Sequence, residues 1–127
     1  MNRAIYINYM NFIRNVGRPM SETNEGSNEF ALNTKDALYA ITLLRGSQMP
    51  ILGGDIVSED KNGQLVYAIY LWGYEYTYLN WYYEMENLDR KGDEYIQRSY
   101  KLAQEKIIAA NDVAKRLGKG CYIVFVV

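Results

Sequence analysis

Hydrophobic positions along the chain follow two periods, and the periods set the predicted elements. Over Arg3 to Val16, Ile5, Tyr9, Phe12, Ile13 and Val16 recur at steps of three and four, one apolar stripe of a helix that Gly17 and Pro19 end. Residues 18–29 (RPMSETNEGSNE) carry almost no large apolar side chain and many turn formers, and read as a connecting loop. A second helix is expected from about Lys35 to Arg45. Thr34 would be its N-cap, Asp36 would sit at the positive end of its dipole, and Arg45-Gly46 would mark its exit. Ala37, Leu38, Ala40, Ile41 and Leu44 make its apolar face.

Strand-length runs come next. Ile51 to Val57 holds the pair Gly53-Gly54, which inside a strand marks a bulge or a close backbone approach. Ser58 to Gly63 (SEDKNG) is polar and ends in Asn-Gly, a hairpin connection. Leu65 to Trp72 is apolar at both alternating sets, as expected of a strand covered on both faces. Tyr74, Tyr76 and Tyr78 continue the period of two, and Asn80 then starts a turn. From Asp93 to Leu117 the helical period returns through Ile96, Tyr100, Ala103, Ile107, Ala110, Ala114 and Leu117, with Asp93 as N-cap and Gly118 as exit. Cys121 to Val127 closes the chain as an apolar, β-branched strand. Helices and strands mostly do not alternate. The fold class is therefore α+β, a small antiparallel sheet of about three strands with about three helices, in a single domain over residues 1–127.

Composition narrows the chemistry. The chain has 127 residues, no histidine and one cysteine. These counts exclude a Ser-His-Asp or Cys-His nucleophile pair, histidine metal ligation, an intrachain disulfide and a multi-thiolate metal site. Cys121 reads as a buried, inert thiol. The longest apolar run, Leu65 to Trp72, falls far short of the ~20 residues that a membrane span requires. No targeting segment is visible at the start, so a cytoplasmic protein is expected.

Charge is unevenly spread although the net is only −1. Residues 54–94 hold three basic and nine acidic side chains, a net of −6, and they also hold most of the tyrosines. Residues 95–127 carry +4 and residues 1–53 carry +1. Phosphate backbones would be repelled from the acidic block, which argues against nucleic acid and for a cationic protein partner. Tyrosine and tryptophan are favoured interface anchors. The expected partner surface is Asp55, Glu59, Asp60, Tyr74, Glu75, Tyr76, Glu84 and Glu86. The competing reading is that the aromatics fill the core.

Two other chemistries were weighed. Gly53-Gly54-Asp55 shares its letters with the hairpin signature of diguanylate cyclases, but Ile56-Val57 follow where those enzymes have Glu-Phe. The carboxylate pairs Glu59/Asp60 and Glu84/Glu86 are sequence neighbours in polar stretches, not groups held across a cleft. Neither implies a metal or a cofactor.

The order of short motifs resembles the immunity protein 40 family, small bacterial proteins encoded beside polymorphic toxins. The motifs are Asn28-Glu29-Phe30-Ala31-Leu32, Ile51-Leu52-Gly53-Gly54-Asp55, Tyr78-Leu79-Asn80-Trp81-Tyr82, then Tyr95-Ile96 and Ser99 on a helix. The resemblance covers roughly residues 28–127. It departs from the family's tendency to Asn-Trp-Ala-Leu, here Glu29-Phe30-Ala31-Leu32, and to Asp-Asn-Trp-Tyr, here Leu79-Asn80-Trp81-Tyr82. Leu79 therefore lacks the carboxylate at that position. The resemblance implies a non-catalytic inhibitor that binds one cognate toxin. Gly53, Gly54, Asn80, Trp81 and Tyr82 would then serve the scaffold, and the acidic loops would set specificity. The alternatives are a small carboxylate-dependent metal enzyme and a domain that self-associates through its tyrosine-rich extension or terminal strand.

Overall fold

A computed structural model describes residues 2–83 and 92–127. Helix α1 (Arg3–Val16) starts at Asn2, whose side chain accepts from the Ile5 amide, and lays Tyr9 and Ile13 into the core. Strand β1 (Arg18–Pro19), a short 3-10 turn (Met20–Glu22) and strand β2 (Phe30–Asn33) follow. Helix α2 (Thr34–Ser47) is capped by Asn33 rather than Thr34. It runs past Gly46 to end at Gln48, which adopts the left-handed conformation (φ 58°). Next come β3 (Gly53–Glu59), β4 (Leu65–Tyr67), the short helix α3 (Ala68–Trp72), a 3-10 segment (Tyr74–Leu79) and β5 (Trp81–Tyr82). Helix α4 (Asp93–Leu117) and β6 (Tyr122–Val126) complete the described elements. Gly92, not Asp93, stands at the N-cap of α4.

The class is α+β with an antiparallel sheet, but among the described residues the sheet has six strands, not about three, and four α-helices accompany it. Its order is β1-β2-β6-β3-β4, and β5 also pairs with β3. The additional strands are two to four residues long and are made by register rather than by hydrophobic pattern. Residues 18–29 are likewise more than a loop, because Met20 is fully buried beneath the sheet. The expected strand from Leu65 to Trp72 breaks after Tyr67. Leu65, Ala68 and Trp72 are its buried residues and lie three and four apart, so an apolar run that satisfied both periods folded by the helical one. Gly73 (φ 120°) then redirects the chain, and Tyr74 to Leu79 coil as a 3-10 segment instead of extending.

Strand alternation sends Leu32, Ile56, Ile123 and Phe125 toward the helices, where they join Ala37, Ile41, Leu44, Tyr100, Ala103 and Ile107 in the main core. Ser99 fixes α4 to the sheet by accepting from the Ile51 amide at 3.0 Å. The Tyr100 hydroxyl lies 2.8 Å from the Leu44 carbonyl and 2.7 Å from the Met49 carbonyl, satisfying the end of α2. The opposite sheet face carries a smaller cluster of Met20, Ala31, Val57, Leu65 and Val124.

Candidate functional site

Strand β3 organises the candidate surface, because β6 occupies one of its edges while β4 and β5 share the other. β4 pairs at Val57 to Glu59 and β5 at Gly53 to Gly54. Between them the Ile56 amide meets no strand; it donates instead to Asn80 Oδ1 at 2.7 Å. Asn80 is thus not simply a turn former, since its side chain substitutes for a missing ladder bond. Next to it, the Trp81 ring lies flat over Gly54, where any Cβ would overlap it, and meets Phe125 edge-on with centroids 6.4 Å apart. The Gly-Gly pair is therefore a close approach. Tyr82 is exposed (72%). The segment from Ala68 to Leu79 links these two footholds, burying Ala68, Trp72 and Leu79 while Tyr70, Tyr74 and Tyr78 stay exposed.

That excursion presents tyrosines. Tyr67, at the end of β4, meets Tyr70 edge-on at 6.3 Å, and Tyr70 meets Tyr74 edge-on at 6.1 Å. Tyr70 (65%) and Tyr74 (69%) are largely exposed, as are Tyr78 and Glu75. Tyr76 is partly buried, set edge-on to Trp72. Trp72 is core, and its indole N–H donates to Ser58, whose hydroxyl donates to the Gly120 carbonyl. The aromatic block therefore divides: Trp72 and Trp81 go inward, and a tyrosine row goes outward.

The acidic residues are not equivalent. On the sheet face opposite the large helices, Glu59 accepts from the Tyr122 hydroxyl at 2.6 Å and pairs with Arg18 at 2.8 Å. These two contacts hold its carboxyl below the usual range despite partial burial. The Arg18 guanidinium also lies over the Tyr122 ring, 5.3 Å from its centroid, and donates to the Gly63 carbonyl. Asp60 closes the hairpin by accepting from the Asn62 and Gln64 amides. Asp55 shares the face of Val57 and Glu59 by strand alternation, but it has no ion-pair partner among the described residues. Burial pushes its carboxyl up. Glu29, just ahead of β2, is raised first by burial and then by repulsion from Asp55. Glu84 and Glu86 lie outside the described residues.

Tyr74 is joined to Tyr67 through Tyr70, and Tyr67 pairs with Val57, while Glu59, Asp60 and Tyr76 are engaged internally. The sequence left Tyr67 and Tyr70 divided between core and surface; the helical turn at Ala68 is what exposes Tyr70. A cleft of about 250 Å³ opens where α1 meets the ends of β2 and β6, lined by Tyr6, Tyr9, Met10, Phe30 and Phe125 with Glu29 beside them. Cys121 has its thiol pushed up to about 12 by burial. Among the described residues no group of three or more acidic or cysteine side chains is placed to hold a metal ion, and no helix is long and apolar enough to cross a membrane.

No curated protein and no solved structure matches the chain. A family model does, over residues 19–127, nine residues further toward the N-terminus than the motif order alone reached. That span takes in strands β2 to β6, Met20 beneath the sheet, the Gly54–Trp81 contact and the segment from Tyr67 to Tyr82. The chain belongs to the immunity protein 40 family.

Proposed function

We propose that this protein neutralises a cognate bacterial toxin by binding it through the acidic, tyrosine-rich surface built on the 67–82 excursion. An immunity family acts by binding rather than, normally, by catalysis. The observation that carries the choice of surface is that Tyr70, Tyr74, Tyr78 and Tyr82 are all exposed on one segment anchored at both ends to the sheet. Tyrosines supply large contact area at low entropic cost, and rigid footing limits the ordering cost of docking. Asp55 and Glu75 belong to the sequence block 54–94, whose net charge of −6 suits a basic toxin domain. Asp55, Tyr74 and Glu75 are the foremost contacts; Glu59, Asp60 and Tyr76 shape the surface from beneath.

The test is co-expression with the C-terminal domain of the polymorphic toxin encoded beside the gene. Restored growth and a co-purifying complex are expected. A toxin domain that kills regardless, with no complex at micromolar concentration, overturns the reading. A Tyr70→Ala/Tyr74→Ala double variant that folds normally yet protects as well as wild type would move the interface elsewhere.

A further inference from the structure

Strands β1 and β4 stand at opposite ends of the strand order, unpaired with each other, yet side chains from the β1 end reach the outer edge of β4. The Thr23 hydroxyl donates to the Leu65 carbonyl at 2.5 Å, and the Arg18 guanidinium donates to the Gly63 carbonyl at 2.7 Å. The sheet therefore curls until its edges meet, and side chains close it where no ladder does. The turn carrying Thr23 is itself held. The Thr23 and Asn24 amides both donate to the Met20 carbonyl, and Met20 is fully buried. Its cluster with Ala31, Val57, Leu65 and Val124 is the one that Tyr67 packs against. Tyr67 in turn meets Tyr70 edge-on at 6.3 Å.

We propose that the Arg18–Asn24 stretch is a strap that sets the tyrosine surface for its partner, with Thr23 and Arg18 as positioning residues acting through β4 and Tyr67. The proposal rests on the toxin-binding reading and names what holds that surface in place. A three-residue edge strand is a weak platform, because its outer backbone groups have no neighbouring strand. Bonding the Leu65 carbonyl from outside fixes the strand that ends in Tyr67, so less ordering is left to the moment of docking. Arg18 adds a second hold at the hairpin, where it also pairs with Glu59 on β3 and so ties both arms together.

Thr23→Val removes the donor at nearly constant size, and Thr23→Ser restores it. In NMR spectra of the free protein, the ring signals of Tyr67 and Tyr70 should be displaced in Thr23→Val and return in Thr23→Ser. Arg18→Lys keeps the charge opposite Glu59 but loses the guanidinium fork. It should displace the same signals, and it carries the measurement if Thr23→Val does not fold. Against the neighbouring toxin domain, Thr23→Val should bind about threefold to tenfold more weakly, through faster dissociation, with Thr23→Ser close to wild type. A strap that serves stability alone would lower the melting temperature and leave rings and affinity as they are, which overturns the proposal. Displaced rings with unchanged affinity overturn it too. Absence of binding even by wild type removes the toxin-binding reading itself, a failure that the ring signals of the free protein tell apart from failure of the strap.

Discussion

Asp55 and Glu59 occupy one face of one strand, four residues apart, and their environments drive them in opposite directions. Burial raises the Asp55 carboxyl, so the folded state holds that proton more tightly than the unfolded chain does. Stability is therefore lost as pH rises through the carboxylate range, and the penalty is complete at neutral pH. Asp55→Asn should raise the melting temperature by a few degrees at neutral pH, with the gain shrinking on acidification, as thermal scans across pH would show. Glu59 behaves inversely. The Tyr122 hydroxyl and Arg18 hold its carboxyl down, so its contribution is present above the unfolded value and disappears as pH falls through the lower folded one. Glu59→Gln should cost about 1 kcal/mol at neutral pH by denaturant titration and nothing in strong acid. Trp81 tests packing. Trp81→Ala removes the ring that covers Gly54 and meets Phe125, and should cost roughly 3–5 kcal/mol. Its indole N–H is buried without a hydrogen-bond partner among the described residues, so Trp81→Phe forfeits no such bond and should cost distinctly less.

At the scale of elements, legibility followed the length of the pattern. Helices α1, α2 and α4 were readable because each repeats the helical period, and the strands β3 and β6 because each is an apolar run of strand length. The stretch from Leu65 to Trp72 was not, because its apolar residues satisfy a strand and a helix alike, and burial of Ala68 and Trp72 against β3 decided between them. β1 and β5 are two-residue pairings whose partners lie far along the chain, and no local signal encodes them. The same limit governed the candidate site. The Gly-Gly-Asp and Asn-Trp letters were visible, whereas the Asn80 side chain bonding the Ile56 amide is a consequence of how β4 and β5 divide the edge of β3. Asn80→Ala should leave that amide unpaired and cost about 1–3 kcal/mol. Hydrogen exchange at Ile56 should accelerate well before exchange in β6 does.

For the molecule as a whole, the exposed tyrosines and Glu75 fall on a segment that the sheet holds at both ends and that gives the core Ala68, Trp72 and Leu79. Glu75→Lys lies on that exposed segment, and it should slow association with the toxin domain at low salt while leaving melting unchanged. Stopped-flow kinetics across ionic strength check this; an unaltered on-rate at low salt would remove steering from the account. The two footholds on β3, Gly54 under Trp81 and Val57 beside Tyr67, are three residues apart, about 10 Å of strand. Because both ends are pinned so near each other, lengthening the intervening stretch adds little closure entropy and asks nothing of the pairing on either side. A lineage facing a changed adversary can therefore exchange the exposed positions of this stretch, keeping Ala68, Trp72 and Leu79, much as a tool takes a new bit in an old chuck. Transplanting only the exposed residues of 69–78 between two such proteins should carry recognition with it while each recipient keeps its own melting behaviour.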